Sequence, residues 1–149
     1  MAGIRERLAE DMKAAMREKN ELRLGTVRMI RSEILNKDKE HGVEAGEEDI
    51  LKVLQGMVKK REEAAEQFEK GGRPELARKE RAEAVIVQSY LPVQVSDDEL
   101  RAAARTAIAE TGASTMKDMG KVMGVLSKRL SGRAAGGRIS QAVKELLGG

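Results

Sequence analysis

Leu91-Pro92-Val93-Gln94-Val95-Ser96-Asp97-Asp98-Glu99-Leu100 interrupts a chain that otherwise reads as one helix after another. Pro92 cannot continue a helix, and the residue before it is pushed toward extended backbone, so a helical run has to stop here. Four residues later Ser96 and Glu99 stand three apart. That is the spacing of a capping box, in which the serine oxygen takes the amide of Glu99 and the glutamate reaches back to the amide of Ser96. The break divides the sequence into an expected N-terminal domain, 1–92, and an expected C-terminal domain, 93–149.

Working back from the break, apolar positions recur with helical spacing. Ile4, Leu8, Met12, Ala15 and Met16 trace one face, and Asn20 marks its end. Leu22, Val27, Ile30 and Ile34 trace a second face, closed near His41-Gly42. Glu47, Glu48 and Asp49 suit the first turn of a third helix, which buries Ile50, Leu54, Met57 and Val58, extends to Phe68 and stops at Gly71-Gly72. Pro74 opens a fourth helix carrying Leu76, Val85, Ile86 and Tyr90. Working forward, Leu100, Ala103, Ala104, Ala107 and Ile108 form a helix that ends at Gly112. Thr115 and Asp118 cap the next, which runs to about Leu130. A glycine-rich turn, Gly132 to Gly137, leads to a last helix with Ile139, Val143, Leu146 and Leu147. No segment reads as a strand. The expected fold is all-α, with about four helices in the first domain and three in the second.

Composition narrows the chemistry. The chain has no cysteine, one histidine and two aromatic residues, Phe68 and Tyr90. Disulfides, thiolate metal sites and cysteine nucleophiles are therefore excluded. No apolar run approaches the roughly 20 residues needed to span a bilayer, and the acids among the first ten residues argue against an organelle transit peptide. The expectation is a cytoplasmic protein with no membrane contact. No Walker phosphate loop, zinc-ligand spacing or nucleophile elbow is present, so neither a cofactor nor a metal is expected. His41 beside Gly42 reads as a helix-end residue. Ser140 and Lys144 are spaced to meet on a helix, and that spacing more often marks a surface pair than a Ser-Lys catalytic pair.

Charge points to one region. Residues 1–92 hold 19 basic and 19 acidic side chains, whereas 93–149 hold nine and six. Between Gly112 and Lys144 there are seven basic residues and one acid, a net charge of +6 against +3 for the whole chain. At about 100° per residue, Met119, Val122, Met123, Leu126 and Leu130 share one sector of a helix. Lys117, Lys121 and Lys128 share the opposite sector with Gly120, Gly124, Ser127 and Ser131. Interior glycine costs a helix about 1 kcal/mol relative to alanine, so its place beside lysines calls for a reason. Either another helix of the same fold packs there, or the small residues let a polyanion approach the backbone while lysines neutralise its phosphates. Arg133, Arg138 and the amides of the Gly132–Gly137 turn add a second possible anion contact. The smaller clusters Arg23, Arg28, Arg31 and Lys59-Lys60-Arg61 have acids nearby, among them Glu33, Glu62 and Glu63, and read as structural.

Several ordered runs go beyond this chemistry. Met12-Lys13-Ala14-Ala15-Met16, Phe68-Glu69-Lys70-Gly71-Gly72-Arg73, Leu91-Pro92 with Gln94, Glu110-Thr111-Gly112-Ala113-Ser114, Lys117 to Gly124, Gly132-Arg133-Ala134 and Ser140 to Lys144 together resemble the YqeY-like (GatB/YqeY) family over the whole chain. The resemblance implies two helical domains, the second shared with the tail of the B subunit of the glutamine-dependent aminoacyl-tRNA amidotransferase, where it helps to hold tRNA. It implies a non-catalytic tRNA-binding accessory protein, with Lys117, Lys121, Lys128, Arg133, Arg138 and Lys144 on phosphates and Gly120 and Gly124 permitting approach. The alternative is a helical interaction module that docks on an amidotransferase or an aminoacyl-tRNA synthetase. A carbon-nitrogen ligase activity with glutamine as amido donor would be inherited by label alone, because nothing here resembles those catalytic centres. The chain departs from the family at Ala135 and Gly137, which bears on the cap of the last helix and on how the turn would meet RNA.

Overall fold

A computed structural model describes residues 3–148, and among them every regular element is helical. The chain folds as two compact units, divided between Leu91 and Pro92. In the first unit α1 spans Ile4–Arg17, α2 Glu21–His41, α3 Glu47–Lys70 and α4 Pro74–Gln88. Helix ends follow the local chemistry. Asn20 accepts the amide of Arg23 at 3.1 Å to start α2, and Gly42 closes it in the left-handed conformation at φ 73°. His41 is the exposed last residue of that helix. Gly72, also left-handed, ends the α3 region while the Arg73 amide reaches back to the Phe68 carbonyl at 2.7 Å. Such a six-to-one bond satisfies a carbonyl that the helix end would leave unpaired. No helix among the described residues is long and apolar enough to cross a membrane.

The first core gathers Leu8, Val27, Ile30, Ile34, Leu54, Met57, Val87 and Tyr90. Three expected core positions are exposed instead: Met16, Leu22 and Val85 are 52, 39 and 70% exposed. Helix α4 turns Ala77, Ala84 and Val87 inward instead of Val85. With Ala65 of α3 also fully buried, α3 and α4 form the most extensive helix pair of the unit. Alanine lets two helix backbones approach closely, and a reading that follows only large apolar residues misses that face. The Arg61–Glu83 ion pair spans the two helices at 3.3 Å with both side chains largely buried.

Two polar clamps tie α1 to the rest of its unit. Arg5 donates two bonds of 2.9 Å to the Asp38 carboxylate and one of 3.1 Å to the Ala45 carbonyl, while Asp38 accepts the Ala45 amide at 2.7 Å. At the other flank, the buried Tyr90 hydroxyl donates to Asp11, which also pairs with Arg23 at 3.2 Å. The Arg7 guanidinium lies 4.9 Å from the centre of the Tyr90 ring and donates to the Ser89 carbonyl. Burial, followed by the bond to Asp11, raises the Tyr90 pKa, which keeps its hydroxyl a donor.

In the second unit α5 spans Asp97–Thr111, a single 3₁₀ turn Met116–Asp118 follows, and α6 spans Met119–Arg129 and α7 Gly136–Gly148. Leu100, Ala104, Ala107, Val122, Leu126, Ile139 and Val143 fill the core. Leu146 stays at the surface, and Leu147 packs instead. Only half of the expected capping box forms at α5. Ser96 accepts the Glu99 amide at 3.1 Å, but the Glu99 carboxylate lies 3.6 Å from Arg133.

The Arg5 bonds, and then the Ala45 amide, hold the Asp38 carboxyl at about 2, below its ordinary 3.8. A depressed carboxyl pKa contributes stability that is complete above the unfolded value and is lost as pH falls through the folded one. Asp38→Asn is therefore expected to melt below the wild type at neutral pH. Between about pH 4 and pH 2 the gap should close. Thermal melts followed by circular dichroism across that range check it, and a gap independent of pH would refute the clamp.

Candidate nucleic-acid interface

The region of highest positive charge is built on α6 and its flanks. Thr115 accepts the Lys117 amide at 3.3 Å, and Asp118 accepts the amides of Ser114 and Thr115 at 2.9 and 3.3 Å. Those amides, with Lys121 as a weaker cause, lower the Asp118 pKa. The box forms as its spacing predicts, but what it caps is the 3₁₀ turn. The α-helix starts at Met119, so Lys117 sits one turn ahead of α6 rather than on it.

Within α6, Val122 and Leu126 are fully buried, and Met119, Met123 and Val125 pack against the same core. Lys121, Gly124 and Lys128, spaced i, i+3 and i+7, form one exposed stripe, with Gly120 and Ser127 beside it. A Cβ on Gly120 or Gly124 would meet nothing within 4 Å, so no described helix of the second unit packs on either glycine. Gly25 and Gly56 in the first unit are equally open. Clearance alone therefore does not single out α6; the lysines beside it do. Among the described residues Lys117, Lys121, Lys128 and Lys144 take part in none of the ion pairs. Lys144 is exposed on a different helix, α7.

The arginines behave differently. Arg133 donates to the Val93 carbonyl at 3.1 Å, and Arg138 donates to the Val95 carbonyl at 3.0 Å and to Asp97 at 2.9 Å. Gln94 donates to the Gly132 carbonyl at 2.8 Å, and the Val95 amide donates to the Arg133 carbonyl at 2.9 Å. The extended segment before α5 is thus fastened along the turn before α7. Gly132 is buried within that turn at φ 75°. The carbonyl of Ala135 receives the amides of Arg138 and Ile139 at the start of α7. Alanine has no side-chain acceptor to cap this helix. Arg129 is paired with Glu110. Of the six basic residues expected at an anion site, two therefore hold the fold. Sequence reasoning had no local signal for their partners, which lie about 40 residues away.

No bond joins Ser140 to Lys144 among the described residues, and no group of three histidine, aspartate or glutamate side chains there is set to hold a metal ion. A shallow cavity of about 360 Å³ beside Arg138 is lined by Asp97 and Glu145 together with Arg101 and Arg138, a mixed charge that suits no single ion.

Gly124→Ala, on an exposed helix interior with room for the added methyl, is expected to stabilise the protein by about 0.5–1 kcal/mol. Arg138→Ala should lower stability by about 1 kcal/mol through the freed Val95 carbonyl and Asp97. Urea unfolding of both variants measures the two opposite signs.

The Yqey-like protein family matches residues 5–147. A protein of Pyrenophora tritici-repentis named Altered inheritance of mitochondria protein 41, mitochondrial, is 30% identical over 146 residues, which cover 95% of this chain and 80% of that protein. A protein of the same name from Clavispora lusitaniae is 38% identical over 97 residues, 63% of this chain and 56% of that protein. An uncharacterized protein of Schizosaccharomyces pombe is 32% identical over 96 residues, covering 64% and 75%. With the family matched over residues 5–147 and a relative 30% identical over 95% of the chain, this chain belongs to the YqeY-like family.

Proposed function

We propose that the protein is a non-catalytic tRNA-binding accessory protein that meets the phosphate backbone with the outer face of α6. The observation that carries this reading is the stripe Lys121-Gly124-Lys128, whose cations enter no ion pair among the described residues and whose glycine leaves the helix backbone open. A phosphate chain needs mobile cations and close approach more than it needs a concave pocket. Lys117 extends the stripe from the 3₁₀ turn, and Lys144 contributes from α7. Arg133 and Arg138 serve this face indirectly by fastening the turn. Because the chain has only two aromatic residues, base stacking contributes little, and recognition rests on shape and charge. The cytoplasmic location expected from composition is part of this proposal; the mitochondrial names of the fungal relatives describe those proteins.

Lys121→Glu/Lys128→Glu is expected to weaken binding of bulk tRNA at least about tenfold near 0.1 M salt and to flatten the dependence of affinity on salt, with helicity unchanged. Filter binding or fluorescence anisotropy across a salt series tests it. Gly124→Ala should weaken binding as well, despite its gain in stability. Wild-type affinity in the double variant would remove this face from consideration.

A further inference from the structure

Independently of RNA, the first unit carries a groove between α1 and α2 that neither the core nor the α6 face accounts for. Its volume is about 170 Å³, and its lining comprises Arg5, Leu8, Arg31, Ile34 and Leu35. A water takes about 30 Å³ of liquid, so the recess has room for one large aliphatic side chain. Leu8 and Ile34 form a buried floor, whereas Leu35 at the rim is 53% exposed. Arg31 lies across the groove with its guanidinium 2.9 Å from the Met12 sulfur. One turn further along α1, Met16 is 52% exposed.

The α2 side of this recess is basic, whereas Arg5 at its other end faces the acids Asp38 and Glu44. Arg28, Arg31 and Leu35, spaced i, i+3 and i+7, share a stripe of α2. Glu33, which the sequence suggested would offset these arginines, projects nearly opposite Arg31 at helical spacing and forms no ion pair with either among the described residues. Asp38, the acid at the Arg5 end, is already engaged by Arg5 and Ala45. What remains is a slot with an apolar floor and rim, flanked on α2 by two arginines that no described carboxylate pairs.

We propose that this groove docks an acidic amphipathic α-helix of a partner protein, one aliphatic anchor entering the slot and flanking carboxylates meeting Arg28 and Arg31. Helix-in-groove recognition uses apolar anchors at i, i+3 or i+4, and i+7, and the exposed Leu35 at the rim offers an apolar contact beside the slot. A phosphate backbone would gain nothing from the apolar floor and the exposed Leu35. A narrow recess between two helices also differs from the broad apolar face that lies in a lipid surface.

The test uses the full chain and a labelled synthetic helix with leucines at that spacing and glutamates elsewhere, beside a counterpart with lysine for every glutamate. Anisotropy should show micromolar binding of the acidic helix and at least about tenfold weaker binding of the basic one. Leu35→Glu and Arg28→Glu/Arg31→Glu should each lower affinity for the acidic helix at least about tenfold while keeping wild-type circular dichroism. Lys121→Glu/Lys128→Glu should bind the helix as the wild type does, which separates this site from the proposed RNA face. Equal affinity for the two peptides, or wild-type affinity in both groove variants, would overturn the proposal. So would displacement of the peptide by tRNA, or a dimer that Leu35→Glu converts to monomer, since the groove would then belong to RNA or to a second copy.

Discussion

The burial of Val122 and Leu126 between α5 and α7 sets the phase of α6, and through it the outward face of the second unit. Successive residues on a helix are about 100° apart, so a shift of one position would carry Lys121 and Lys128 to the side and bring a neighbour into the core. The unit has fewer than sixty residues and one small core, in which large and small apolar groups alternate: Leu126 and Val122 against Ala104 and Ala107. A domain of that size has little apolar surface to spare. Its interior positions are therefore committed to packing, and any chemistry has to be done by exposed groups whose direction the core dictates.

The helices were legible because their punctuation is local. Asn20, Gly42, Gly72, Pro74, Ser96 and Gly112 act within one turn of where they stand, through a side-chain cap, a left-handed φ or a missing amide. The inward face of α4 was not legible from large residues, because close helix contact selects Ala77 and Ala84 while leaving Val85 in water. The 3₁₀ turn before α6 also escaped periodicity. A tighter turn changes the phase of Lys117 relative to Lys121 without changing any residue in the pattern.

The candidate face shows the same division between local and remote information. The stripe Lys121-Gly124-Lys128 was visible in the sequence because one helix supplies all of it. The engagement of Arg133 and Arg138 was invisible, because their acceptors lie on the segment before α5. Arg5 and Asp38, 33 positions apart, pose the same problem. In a chain where more than a third of residues are charged, counting cations in a window overstates what is available to a ligand. What matters is the number left after the fold has taken its share.

That share falls unevenly on the two basic residue types. In the second unit four of the five arginines, Arg101, Arg129, Arg133 and Arg138, pair with carboxylates and Arg105 does not, while the four lysines of the candidate face pair with none among the described residues. The guanidinium is a planar fork that can hold a carboxylate and a carbonyl at once, as Arg138 does with Asp97 and Val95. An ammonium on a flexible four-carbon stem makes a poorer brace and keeps its hydration at little cost. It is correspondingly ready to exchange water and counterions for a phosphate. In the first unit Arg28 and Arg31, like Arg7, Arg17, Arg73 and Arg78, enter no ion pair among the described residues; what distinguishes Arg28 and Arg31 is their stripe with Leu35 beside an apolar slot. A planar donor kept beside an apolar slot suits a partner that brings an oriented carboxylate on a helix, whereas the lysines of α6 suit a polyanion whose charges need no fixed orientation.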